Sequence, residues 1–281
     1  MQIKRKPEWL KIRLNQGENY LKVNEIVKDH HLHTICQSGN CPNMGECWSK
    51  GTATFMILGN ICTRNCKFCN VTTGKPLAID PNEPEKLANS IRLMKLKHCV
   101  VTSVDRDDLE DLGSSHWANC IKKVKEINPQ TSIEVLIPDF QGNRDCIQRV
   151  IDAGPEIISH NLETVERLTP LIRSKAKYRL SLDVLKQIAE SGVRAKSGIM
   201  LGLGETEDEI LQVMDDLLEV DCKIITIGQY LQPSRQNYPV VDYITPEKFE
   251  YYRLKALEKG FEFAESAPLV RSSYHAENQV K

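Results

Sequence analysis

Residues 54–70 read TFMILGNICTRNCKFCN, a short apolar run followed at once by Cys62, Cys66 and Cys69 in the spacing C-x3-C-x2-C. The run is apolar throughout and stops at Gly59. That predicts a buried strand over Thr54–Gly59 with the cysteines in the loop at its carboxyl end. Three thiolates this close hold three irons of a cubane cluster from one loop and leave the fourth iron without a protein ligand. An open iron on a reducing cluster is a place for chemistry. Structural zinc normally takes four Cys or His ligands, and this loop offers three sulfurs and no histidine. A disulfide framework suits short secreted chains. This one has 281 residues, and its basic N-terminus, MQIKRKPEWLKIR, runs into polar sequence rather than a signal-peptide apolar core.

A second triplet stands just ahead. Cys36, Cys41 and Cys47 are spaced C-x4-C-x5-C, so six of the ten cysteines fall in one short stretch. Such crowding of thiols without a leader sequence implies a reducing cytoplasm and metal-bound thiolates. Glu8 and the lack of serine argue against an organelle transit peptide. Cys99, Cys120, Cys146 and Cys222 stand alone and read as small buried apolar residues. His31 and His33 flank the first triplet at H-x-H spacing. They could be metal ligands, but surface or packing histidines are the commoner case.

Outward from the cysteine loop, short β-rich runs alternate with longer amphipathic ones. Further strands are predicted at Cys99–Ser103, Ser132–Ile137, Glu156–His160, Ala195–Leu201 and Lys223–Gln229. Helices are predicted near Glu83–Lys95, Ser115–Ile127, Arg144–Ala153, Leu182–Ser191 and Glu207–Val220. Ser181 and Thr206 suit helix N-caps and Gly192 a stop. Alternation of this kind means a parallel sheet with crossover helices. Six units with short apolar strands favour an α/β fold, a partial (β/α)6 TIM-type barrel, with the site at the carboxyl ends of its strands.

Residues 1–53 read as an N-terminal extension with short helices around Glu8–Leu14 and Tyr20–His30, residues 54–230 as the barrel, and residues 231–281 as a C-terminal extension. The last contains a polar connection at Pro233–Tyr243, a helix capped by Thr245 and Pro246, a strand-like run at Phe261–Ala264, and a polar tail. Both extensions are expected to close the barrel mouth. Lys+Arg number 37 against 38 Asp+Glu, for a net charge of -1, so no field points to nucleic acid or an anionic membrane. No apolar run is long enough to span a bilayer.

C-x3-C-x2-C with an aromatic residue, Phe68, before its last cysteine resembles the radical S-adenosylmethionine enzymes over about Thr54 to Gln229. In that family the methionyl amine and carboxylate chelate the open iron, and an electron from the cluster cleaves the sulfonium to a 5′-deoxyadenosyl radical. The resemblance extends to two further segments. Gly198-Ile-Met-Leu-Gly202-Leu-Gly204-Glu205 is similar to the glycine-containing strand under the adenine, and Asn161-Leu162-Glu163 to the Asn-x-Asp pair on the ribose hydroxyls. Taken alone, the first is also an ordinary strand-to-helix turn and the second a helix N-cap with an acidic first turn. Val104-Asp105-Arg106-Asp107-Asp108 reads equally as a contact to the methionyl group or as a solvated loop. Arg179 and Lys196 are placed near predicted strand ends, where they would bind a carboxylate or be solvated.

Cys36-QSGN-Cys41-PNMGE-Cys47 resembles the auxiliary-cluster motif of the lipoyl synthase family, and the tail Arg271-Ser272-Ser273-Tyr274-His275-Ala276 resembles that family's C-terminal motif. The resemblance implies two [4Fe-4S] clusters and S-adenosyl-L-methionine as cofactors, with Ser273 as the unusual fourth ligand of the auxiliary cluster. A hydroxyl is a poor partner for soft iron–sulfur chemistry, so that iron would leave and the cluster would donate its sulfur. The resemblance also implies insertion of two sulfurs at C6 and C8 of an octanoyl chain on a lysine of a lipoyl carrier domain. Implied partners are 2-oxoacid dehydrogenase E2 subunits, the glycine cleavage H protein, flavodoxin or ferredoxin as electron donor, and an iron–sulfur carrier protein. Two other readings stand beside it: a biotin synthase-like or methylthiotransferase-like radical enzyme, and a zinc-binding adaptor.

Overall fold

The computed structural model describes residues 5–11 and 17–279. After a short 3-10 turn at Glu8–Leu10 come α1 (Glu18–Asp29), β1 (His33–Thr34), α2 (Ile35–Ser38) and α3 (Met44–Ser49). The alternating region follows as β2 (Thr54–Ile57), β3 (Ile61–Cys62), β4 (Thr72–Thr73), α4 (Glu83–Met94), β5 (His98–Ser103), α5 (Ser114–Ile127), β6 (Ser132–Leu136), α6 (Arg144–Asp152) and β7 (Ile157–Ser159). It continues as α7 (Thr169–Ile172), α8 (Tyr178–Glu190), β8 (Arg194–Leu201), α9 (Glu207–Glu219) and β9 (Ile224–Gln229), and the chain ends with α10 (Pro246–Lys259), β10 (Phe263–Ala267) and a 3-10 turn at Ala276–Gln279.

One eight-stranded sheet runs β1-β2-β5-β6-β7-β8-β9-β10. Only β1 is antiparallel; every other pairing is parallel. β2 and β9 are buried along their whole length, which is why they read as unbroken apolar runs rather than alternating ones. The helices bury a single stripe each; α6, for instance, buries Cys146, Ile147, Val150 and Ile151. This is the six-unit partial barrel expected, with one addition. The C-terminal run pairs parallel with β9 as a seventh parallel strand. It covers Phe263–Ala267 rather than Phe261–Ala264, because Phe261 closes the end of α10, its N–H bonding to Ala256 O.

Thr206 caps α9 in a reciprocal capping box with Glu209, and Thr245 caps α10 with Pro246 in its first turn. Ser181 is not a cap. α8 starts three residues earlier, and Ser181 lies on its buried face with its hydroxyl between His160 Nε2 (2.9 Å) and Arg173 Nη1 (3.0 Å). The predicted Glu8–Leu14 helix is a single turn as far as Leu10; residues 12–14 lie outside the described residues. The N-terminal extension has an apolar cluster of its own, Val23, Val27, Cys36, Trp48 and Ala53. Among the described residues no helix is long and apolar enough to cross a membrane.

Candidate iron–sulfur and cofactor site

The Cys62–Cys69 loop leaves the carboxyl end of β2 and is braced where it departs and returns by the small parallel pair β3–β4. Arg64, at its centre, is almost wholly buried. Its fork meets Asp107 (2.9 and 2.8 Å) and Asp139 (3.0 and 2.7 Å), with Asp105 at 3.3 Å. Those carboxylates stand beyond β5 and β6, so one cation ties the loop to two strand ends. Burial works against ionisation of Asp107, yet Arg64, Gln141 and Lys175 hold its carboxyl well below the usual range. The segment Val104–Asp108 is therefore mostly enclosed: Val104 and Arg106 are buried, and Arg106 pairs with the exposed Asp108.

The three thiols are half-buried. Burial and then the Asp105 carboxylate raise Cys62 to about 11 and Cys66 to about 12; Cys69 is pushed up by burial too. Backbone N–H groups of Arg64 and Asp105 point at Cys62 Sγ (3.4 Å each), and that of Val71 at Cys69 Sγ (3.4 Å). Donors aimed at sulfur, with mutually raised thiols, are the arrangement a metal would relieve by taking all three as thiolates.

At the end of β7, Asn161 Nδ2 donates to Glu163 Oε1 at 3.1 Å, while Asn161 Oδ1 is buried with no partner. Glu163, in the left-handed region at φ 66°, pairs through its backbone with Gly198 and Met200 of β8. A Cβ on Gly198 would lie 2.5 Å from Thr226 Oγ1 and 3.1 Å from Asn161 Oδ1. Asn161, Glu163 and Gly198 thus meet at one strand-end position. Gly202 and Glu205 are occupied internally: the Glu205 carboxylate accepts Gly202 N–H (2.5 Å) and Leu203 N–H (2.9 Å), and Asp242 O lies over Gly202.

Arg179 does not belong to this site. It lies on the exposed side of α8, 61% exposed, paired with Glu166 at 2.6 Å. Lys196 is the reverse of solvated, fully buried against Glu134 at 2.8 Å. The arginine that does reach the site is Arg173, which sequence reading missed. It is buried, donates to Leu162 O and Ser181 Oγ, and acts electrostatically on Cys66 and Glu163.

The first triplet precedes the barrel, with Cys36 on α2, Cys47 on α3 and Cys41 in the turn between them. Burial and the neighbouring thiols raise Cys36 to about 11 and Cys47 to about 12, and Cys41 is raised by burial. The buried Trp48 indole N–H has no partner and stands toward Cys36. The tail lies against this segment and the start of β2. Asn43 Nδ2 donates to Leu269 O (2.7 Å), Thr54 Oγ1 donates to Ser273 Oγ (2.8 Å), and Tyr274 OH approaches Glu46 (3.4 Å). Arg271 acts on both Cys41 and Glu163, between the two triplets. Gly228 of β9 permits this, since a Cβ there would fall 2.1 Å from Val270 O.

Cys99, Cys120, Cys146 and Cys222 are buried, as expected. His31 and His33 line a small cavity with Gly59, Asp80 and Glu83. Neither histidine belongs to the group formed by Glu83, His116 and Cys120, whose ligand atoms lie within 4.8 Å of one another.

The Radical SAM superfamily matches residues 56–217. Lipoyl synthase of Parabacteroides distasonis is 66% identical over 276 residues, covering 98% of each chain. That of Treponema denticola is 62% identical over 98% of this chain and 95% of its own. Among solved structures, methylornithine synthase aligns with a TM-score of 0.58 at 12% identity over 78% of this chain and 73% of its own, a likeness of fold alone. With sequence identity this high along nearly its full length, the chain belongs to the lipoyl synthase family of the radical SAM superfamily.

Proposed function

We propose that the chain inserts two sulfur atoms, at C6 and C8, into an octanoyl group held by amide linkage on a lysine of a lipoyl carrier domain. The observation that carries this reading is the meeting of residues 269–274 with the Cys36–Cys47 segment and with Thr54 of β2, which brings the serine of the tail to the strand that joins the two thiol triplets. When bound, two [4Fe-4S] clusters and S-adenosyl-L-methionine supply the electron, the adenosyl radical and the sulfur.

The residues present fit those groups. Cys62, Cys66 and Cys69 are three half-buried thiols of one loop, with backbone N–H groups aimed at the sulfurs of Cys62 and Cys69, and they would hold the radical cluster. Cys36, which is buried, and Cys41 and Cys47, which are half-buried, would hold the auxiliary cluster, with Ser273 as its fourth ligand. Asn161 Oδ1, an orphaned buried acceptor, suits a ribose hydroxyl, and Glu163 beside it is a second acceptor. Gly198 leaves the space above Asn161 free of a side chain.

The chain's own part is to position and to exclude water. Arg64 fixes the cysteine loop against β5 and β6. Asn237 Nδ2 and Tyr238 N–H bond to Cys69 O and Lys67 O, so the connection after β9 covers the loop's other side. Attack on an unactivated C–H bond asks nothing of an acid or base. The carriers that suit this activity are E2 subunits and the H protein. Flavodoxin or ferredoxin suits as donor, an iron–sulfur carrier protein as the source of new clusters, and the cytoplasm as compartment. Anaerobic reconstitution with iron and sulfide, then turnover with an octanoylated carrier peptide, tests the reading by mass spectrometry. The expected product carries two added sulfurs. Cleavage of S-adenosylmethionine without sulfur insertion would overturn it.

A further inference from the structure

Glu83, His116 and Cys120 bring a carboxylate oxygen, an imidazole nitrogen and a thiol within 4.8 Å of one another in the interior. The set invites a metal, but the distances point elsewhere. Glu83 Oε2 and His116 Nε2 are 2.6 Å apart, a direct hydrogen bond. Ligands each about 2 Å from a zinc ion in tetrahedral array stand farther apart than this. The same Oε2 also accepts the backbone N–H of Leu58 at 2.8 Å, so this oxygen is already saturated.

Leu58 is what makes that bond consequential. It lies between the end of β2 and Cys62, and its φ is +68°. A non-glycine residue held in this region costs about 1–3 kcal/mol and persists only where its surroundings impose it. Three elements do so. Glu83, in the first turn of α4, holds the N–H, and His116 of α5 holds Glu83. Arg106, fixed by both oxygens of Asp108, reaches Leu58 O at 3.4 Å. The side chain packs on the residue preceding α5, where a Cβ on Gly113 would lie 2.7 Å from Leu58 Cδ1. The direction in which the chain enters the cysteine loop is set at this residue.

We propose that the Glu83–His116 pair is a positioning clamp for the Cys62–Cys69 loop, holding Leu58 in its left-handed conformation and so aiming the loop at the strand ends. The clamp rests on the reading of that loop as the radical-cluster site. Neither residue touches the reacting atoms; both act through Leu58.

Three variants test it in the reconstituted protein. Glu83→Leu removes the acceptor at similar volume, His116→Phe removes the donor to Glu83, and His116→Gln keeps a donor. In Glu83→Leu, peptides over residues 57–62 should exchange amide hydrogen about tenfold faster or more. Formation of 5′-deoxyadenosine per cluster should fall by about ten- to a hundredfold, the scale of a misplaced reacting group. The electron paramagnetic resonance of the reduced radical cluster with S-adenosylmethionine should change shape. Peptides over residues 36–48 should keep wild-type exchange. His116→Phe should move these readouts the same way by less, and His116→Gln should restore most of them. Wild-type exchange and cleavage in both Glu83→Leu and His116→Phe would overturn the clamp, as would equal loosening of residues 36–48. A zinc equivalent held by the wild type and lost in both variants would overturn it in favour of a metal site. If Glu83→Leu does not fold, the contrast between His116→Phe and His116→Gln decides. If the wild type forms no 5′-deoxyadenosine, the reading of the loop fails, and exchange at 57–62 still judges the clamp.

Discussion

The two cysteine triplets are alike in composition and opposite in construction. The Cys62–Cys69 loop is part of the barrel. It leaves a strand end, is braced by its own small β-pair, and is tied through Arg64 to carboxylates after the next two strands. The Cys36–Cys47 segment precedes the barrel as two short helices and the turn between them, and it has partners from the far end of the chain: Leu269 on Asn43 and Tyr274 on Glu46. One site is held by strand ends that the fold must place there in any case. The other depends on a tail of few residues finding it. A rigid site suits repeated use, and a site closed by a separate segment of chain suits one that must open and be rebuilt.

The largest effects should separate the triplets outright. Cys62→Ala, Cys66→Ala or Cys69→Ala should abolish 5′-deoxyadenosine formation. Cys36→Ala, Cys41→Ala or Cys47→Ala should leave it detectable and stop sulfur insertion. A dithiolated product from any first-triplet variant would break the division of labour. Next in size is Arg64→Leu. It takes their shared cation from Asp105, Asp107 and Asp139, leaving Asp107 only Lys175 and Gln141, and breaking a buried ion pair from one side costs about 3–5 kcal/mol. Iron should fall toward one cluster per chain while residues 36–48 keep their hydrogen-exchange protection. Arg64→Lys should fall between, since an ammonium cannot span two carboxylates as a fork does. Equal loss of iron from both sites would show that the two are not built independently.

Acid should find the same seam. His160 lies beneath the radical half, bonded to Ile137 O and Ser181, and burial and then Arg173 lower it from its ordinary 6.5 to about 4. Between those values the unfolded chain takes up a proton that the folded chain refuses. The stability this group contributes is therefore complete above about pH 6.5 and is lost as pH falls toward 4, by about 3 kcal/mol in all. Hydrogen exchange on a pH series should open residues 137–163 before residues 36–48, and His160→Gln should flatten that limb of the curve. An unchanged pH dependence in the variant would assign the loss to other groups.

What the sequence made legible follows the same division. Strands and helices of the barrel were readable because each is a local pattern: an apolar run with a stop, or a stripe with a cap such as Thr206 or Thr245. The cysteine spacings were readable for the same reason. The electrostatic frame was not. Arg64 looks like any polar loop residue until β5 and β6 bring Asp107 and Asp139 to it across 43 and 75 residues. Arg173, in LIRSK, has no local mark of burial; the turn before α8 encloses it. Arg179 is marked no differently and faces solvent. Ser181 reads as a cap by type and is spent instead on His160 and Arg173, a tertiary demand that outweighs a local preference. Gly228 gives no sign in a strand pattern that a backbone passes over it.

The smallest effect expected concerns the tail, and it sharpens the contrast most. Ser273 Oγ accepts from Thr54 Oγ1 at 2.8 Å, and Thr54 opens the strand that leads to the radical loop. The hydroxyl is thus tied to the strand that joins the two cysteine segments. If Ser273 is the fourth ligand of the auxiliary cluster, Ser273→Ala should leave 5′-deoxyadenosine formation near wild type and lower dithiolated product by about tenfold, roughly 1.4 kcal/mol in the step that releases iron. Ser273→Cys should hold that iron more firmly, because thiolate is the better ligand for it, and should slow product formation while raising iron retention under chelator. The two variants thus move retention in opposite directions and turnover in the same one. Loss of a passive tail contact predicts no such split, since both substitutions would then weaken the Thr54 bond and lower retention alike. Ser272→Ala should change neither quantity as much. A Ser273→Ala enzyme with full product yield would leave the tail as a cover only, and the auxiliary site as rigid in use as the radical one.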